Sequence, residues 1–154
     1  MERRPSTSLL VVLAALFLLV AGLLSLLTGA LFGVLGGLVA GLETVDGDGT
    51  GLVGAAGGAV VLYGVAVMVW GILELLAASG MLVHRGWSRV LGLAVGVIGL
   101  AFTGLSLVTA LASGEPLASM GLNLVLVAGY ALTVLALVTG REHFPRADRS
   151  SPGS

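Results

Sequence analysis

The chain has 154 residues, 57% of them hydrophobic and 10% charged, with a net charge of −1 and a mean hydropathy of +1.12. Soluble domains average about 25% charged residues. These proportions exclude a disordered chain, a basic nucleic-acid binder and an ordinary soluble enzyme, and they point to an integral membrane protein. There is no cysteine, which removes disulfide frameworks, thiol nucleophiles and zinc ribbons.

In chain order, residues 1–8 form a short basic N-terminus with Arg3 and Arg4, and residues 9–140 form a membrane domain of four apolar runs. The runs are Leu9–Leu42, Leu52–Val83, Val90–Ala112 and Leu117–Thr139. About 20 apolar residues cross a hydrocarbon core of about 30 Å, and lipid offers no partner for a backbone that is not helical. The fold class is therefore all-α: a polytopic four-helix transmembrane bundle. The first run is far longer than the roughly 7–15-residue apolar stretch of a signal peptide, so it is read as a span; the alternative, a cleaved signal peptide, would leave three spans with the same orientation. Residues 141–154 are polar and Pro-containing, and read as a flexible cytoplasmic tail whose arginines touch anionic headgroups.

All seven basic residues are Arg. Arg3 and Arg4, then Arg85 and Arg89, then Arg141, Arg146 and Arg149 mark one side of the membrane. Glu43, Asp46, Asp48 and Glu115 mark the other side, with no basic residue among them. The positive-inside rule places both termini in the cytoplasm, in a multi-pass protein of the cytoplasmic membrane. Trp87 at the inner interface and Tyr63 near the outer one fit an aromatic belt.

The first two runs are too long for one crossing, at about 51 and about 48 Å as helices. Tilt absorbs only part of that excess. The first two helices are thus expected to be extended or broken on the outer side, where residues 29–59 protrude or lie at the interface. Between them, Asp46-Gly47-Asp48-Gly49 is a strong breaker, read as a loop and not as a calcium site because no bidentate Glu follows at the right spacing. His84 and His143 have no clustered partners, so no metal and no cofactor is expected.

Glycines recur on three runs. Gly29, Gly33, Gly37 and Gly41 repeat every four residues, with Gly36 beside them. Gly57, Gly64, Gly71 and Ala78 repeat every seven, and the third run carries Gly92, Gly96 and Gly99. Small residues at these spacings let helix backbones approach closely. Two readings stand: packing within the four-helix bundle, or contact of the first helix with a second copy or another membrane protein.

Glu74 is the one ionisable residue inside a span. It lies about 15 Å from the inner surface by helical rise, near the midplane, and an intramembrane carboxyl is a functional-site candidate by default. It falls about 60° from the Gly64–Gly71–Ala78 seam at about 100° per residue, so it faces the bundle. Depth counting names Trp70, Thr103 and Tyr130 as its hydrogen-bond partners, with Phe17 the contribution of the first helix. Asn123, Ser106 and Thr109 fall closer to the outer face.

The stretch Gly71–Leu100 joins a glycine-bearing helix with a central Gly71–Ala77 segment to the basic turn His84-Arg85-Gly86-Trp87-Ser88-Arg89, then to a span with Gly92 and Gly96. It resembles small four-span integral membrane proteins of high-GC Gram-positive bacteria, a group without an assigned activity. The resemblance implies fold and topology and no catalytic residue. Small multidrug exporters also have four spans and one intramembrane Glu, but theirs lies in the first span, and no residue is carried over. The expectation is a non-enzymatic structural or accessory membrane protein acting through helix–helix contacts, with the lipid bilayer as partner and no nucleic acid. The alternative is a small proton- or cation-coupled transporter or channel using Glu74.

Overall fold

A computed structural model of the chain describes residues 5–46, 52–83, 85–114, 116 and 120–140. They form four helices: α1 (Pro5–Asp46), α2 (Leu52–Leu82), α3 (Gly86–Ala112) and α4 (Gly121–Thr139). Gly47–Gly49 of the breaker, His84, Glu115 and the tail from Arg141, with His143, lie outside the described residues. Pro5 suits the first helical position, where a missing N–H costs nothing. At the end of α3, Gly114 adopts φ +70, which a residue with a Cβ rarely does, and its N–H returns to the Leu111 carbonyl. Arg85 N–H closes the end of α2 on the Gly80 carbonyl at 3.1 Å.

All four helices are long and apolar enough to cross a membrane. Their surface is apolar as well. Leu62, Val90 and Phe102 are each more than two-thirds exposed, at 71%, 72% and 73%. Water would penalise such a surface, whereas lipid accepts it. The protein is an all-α, multi-pass integral membrane protein.

α1 has 42 residues and α2 has 31, which is about 63 and about 47 Å of helix. Both run unbroken, so of the two expectations for their overlong stretches, extension holds and interruption does not. The chain divides into two compact units. Val20–Leu75 is a hairpin unit made from the later part of α1 and most of α2. The described residues of Met1–Leu19 and Leu76–Ser154 form the other, a four-helix unit that holds all of α3 and α4.

The hairpin unit is closed by glycines in pairs. A Cβ added at Gly22 would lie 2.9 Å from the Gly71 carbonyl oxygen. One added at Gly29 would lie 2.6 Å from that of Gly64, and one at Gly36 2.8 Å from that of Gly57. Each step of seven along α1 is matched by a step of seven back along α2, so the helices are antiparallel and held in one register. The glycine hydrogen that occupies the Cβ position points at the facing carbonyl, the arrangement of a Cα–H···O contact. A repeat of seven on both partners is the spacing of a left-handed crossing.

The first helix therefore does not present its four-residue glycine run to α2. Of that run, Gly29 sits in the seam. The Gly33 backbone lies under Gly64, but a side chain at Gly33, Gly37 or Gly41 would enter open space. The physical reason is commensurability: α2 offers contacts every seven residues, and only a partner repeat of seven stays in step with it.

The four-helix unit packs differently. Here glycines of α3 receive side chains. Gly92 takes Met81 and Leu137, Gly96 takes Val134 and Thr133, and Gly99 takes the Tyr130 ring. Gly129 of α4 takes the Phe17 ring, whose edge meets Tyr130 at 5.3 Å and 87°. Gly80 lies against Ser88 and makes room for the tight α2–α3 turn.

Overpacking a filled seam costs about 1–3 kcal/mol. Gly64→Val, which would drive a side chain into the backbone of Gly29 and Gly33, is expected to lose about that much stability. Gly37→Val is expected to change it by less than about 0.5 kcal/mol. Thermal or SDS-induced unfolding in one detergent measures both, and equal losses would sink the assignment of the seam.

Candidate functional site

Polar side chains in lipid need partners, and several serine and threonine hydroxyls of the described helices bond back within their own helix. Thr103 Oγ1 donates to the Gly99 carbonyl at 2.7 Å, and Thr133 Oγ1 to that of Gly129 at 2.9 Å. Such back-bonding satisfies a hydroxyl without help from another helix. Bonds between helices are therefore informative. Asn123 Nδ2 donates to Ser106 Oγ at 3.4 Å, joining α4 to α3. Arg89 Nε donates to the Leu137 carbonyl at 3.1 Å, in the last turn of α4. That places a cation at the negative end of the α4 dipole.

The third such cluster is Glu74. Its side chain is fully buried. Oε2 accepts from Ser25 Oγ on α1 at 3.1 Å, and Oε1 accepts from Trp70 Nε1 one turn earlier on α2 at 3.1 Å. All three residues belong to the hairpin unit. The glycine seam sets this geometry. A Cβ at Gly22 would also touch Glu74 Cβ, at 3.1 Å, and one at Gly71 would touch Ser25 Cβ, at 3.0 Å. Only with the Gly22–Gly71 pair closed are the helices near enough for the short serine side chain to reach the carboxyl.

Of the partners expected from depth, Trp70 is in place. Thr103 Oγ1 donates to its own helix, and within the four-helix unit the buried Tyr130 ring packs on Phe17 and Gly99, contacts that do not bear on its expected bond to Glu74. Ser25 lies outside the depth-based expectation. Counting depth along α1 pointed to Phe17, which lies about 12 Å further back along the helix. The signal that leads to Ser25 is the mirror of the α2 heptad in Gly22, Gly29 and Gly36, since Ser25 sits three residues after Gly22 and four before Gly29.

The chemistry follows from the donors. An indole N–H only donates, so Oε1 has to accept; a serine hydroxyl both donates and accepts. Ser25 can give its hydrogen to an ionised Oε2, or accept one from a protonated Oε2 and turn its own toward a carbonyl of α1. The cluster thus keeps its bonds in either protonation state. Among the described residues no group of three or more His, Cys, Asp or Glu could hold a metal ion. Comparison with protein-family models, with curated proteins and with solved structures finds no match to this chain.

Stranding buried donors costs about 1–3 kcal/mol. Glu74→Leu, which removes the carboxyl that accepts from the Trp70 indole and ties Ser25 of α1 to α2, is expected to destabilise the protein in that range. Glu74→Gln retains an acceptor for Trp70 and an amide for Ser25, and is expected to stay within about 1 kcal/mol. A double-mutant cycle of Ser25→Ala with Glu74→Leu should give a coupling of about 0.6–1.7 kcal/mol. Zero coupling in thermal unfolding would remove Ser25 from the cluster.

Proposed function

We propose that this protein is a structural or accessory component of the cytoplasmic membrane, with both termini inside, that works through helix–helix contacts and catalyses no reaction. The observation that carries the reading is the occupancy of the one intramembrane carboxyl. Both oxygens of Glu74 are engaged by Ser25 and Trp70 inside a seam closed by three glycine pairs. A carboxyl held in this way acts as a polar clamp, setting the register of two helices that lipid alone does not press together. The extended hairpin then serves as a stiff element for contact with another membrane protein or a second copy of the chain.

A second reading, a small proton- or cation-coupled transporter or channel, draws on the tolerance of the Glu74–Ser25 bond for a proton on either partner. The two readings separate in proteoliposomes. The clamp predicts that proton flux is the same for the wild type, for Glu74→Gln and for empty vesicles, while Glu74→Leu lowers the unfolding midpoint. A wild-type flux above the empty-vesicle level that Glu74→Gln abolishes would refute the structural role and establish transport. Chemical crosslinking in native membranes tests the contact role: a strict monomer with no crosslinked neighbour would count against it.

A further inference from the structure

The four-helix unit carries two guanidinium groups one turn apart at the start of α3. Arg85, its N-cap residue, has extended backbone (φ −75, ψ 132), is exposed and makes no side-chain cap. Arg89 is half-buried and tied through Nε to the Leu137 carbonyl at 3.1 Å. That bond uses one of five N–H donors and fixes the plane of the group, leaving the Nη hydrogens for a second partner. Among the described residues neither arginine meets a carboxylate, and no acid lies in the first turn of α3.

Like charges one turn apart disfavour each other, and the effect grows as the surroundings become less polar. An anion between them relieves it. The two arginines cap the end of an apolar span and flank the half-exposed Trp87, whose ring rests against Gly80. A Trp at the end of a span sits at headgroup level. The anion abundant at that level is a lipid phosphate, and the planar guanidinium fork matches phosphate oxygens. We infer that Arg85 and Arg89 together bind the phosphate group of an anionic membrane phospholipid at the α2–α3 turn. Through Arg89 the bound lipid is linked to the last turn of α4, so its binding stiffens the junction of α3 with α4.

The test uses the full chain in detergent, with the unfolding midpoint followed against added phosphatidylglycerol, phosphatidylcholine or inorganic phosphate. Phosphatidylglycerol is expected to raise the midpoint saturably. Arg85→Gln, which breaks no bond within the protein, is expected to weaken the apparent affinity about tenfold, the loss of one charge-assisted contact. Arg85→Lys should recover part of it, and Arg149→Gln in the tail should change it by less than about twofold. Native mass spectrometry of the same variants gives an independent count of retained lipid. An equal response to phosphatidylcholine would overturn the requirement for an anionic lipid. A response to inorganic phosphate at the same concentration would overturn the lipid occupant in favour of a free-phosphate site. Equal weakening by Arg149→Gln and Arg85→Gln would show diffuse attraction and no site.

Discussion

The architecture depends on backbone meeting backbone at Gly22–Gly71, Gly29–Gly64 and Gly36–Gly57. In water, burial of Leu and Val would press two such helices together. Lipid tails are as apolar as those side chains, so that force is absent, and what remains is close packing and short polar contact. A glycine pair supplies both. It brings the helix axes close, and it sets a polarised Cα–H opposite a carbonyl. Three pairs at the same spacing fix the register of the hairpin along its length, and the one buried acid depends on that register for its partner Ser25.

The two compact units use glycine in opposite ways. In the hairpin unit a glycine faces a glycine, and the two backbones touch. In the four-helix unit a glycine of α3 faces a large side chain of α4, so Gly92, Gly96 and Gly99 serve as sockets for Leu137, Val134 with Thr133, and Tyr130. The α3–α4 contact is then further tied by polar bonds between helices, Ser106 with Asn123 and Arg89 with the Leu137 carbonyl. Polar groups elsewhere in the spans are mostly turned back on their own helix, as at Thr103 and Thr133. Within each unit the bonds that do join two helices, Ser25 with Glu74 in the hairpin and those of α3 with α4, tie those pairs together.

Glu74 was visible in the sequence because a lone acid in an apolar run has no other explanation as economical as a defined role. Trp70 was visible because four residues on a helix is one turn. Ser25 was not, since it lies 49 residues away and its approach depends on how two helices are registered. The four-residue repeat Gly29, Gly33, Gly37 and Gly41 was equally conspicuous, yet it overlies the seven-residue repeat Gly22, Gly29 and Gly36 that the seam uses. Spacing alone ranks both as packing faces. The choice is made by the partner, whose own repeat of seven cannot stay in step with a repeat of four.

The class of protein and the number of helices are legible in the chain alone, because hydropathy and the need to satisfy backbone groups in lipid act locally along it. The sequence also singled out the acid that needs an explanation. Tertiary structure decided that α1 and α2 continue unbroken, which glycines face which, and that the acid is clamped by Ser25 and Trp70. Those matters turn on the register between helices. Register is a property of two surfaces brought together, and neither surface carries it alone.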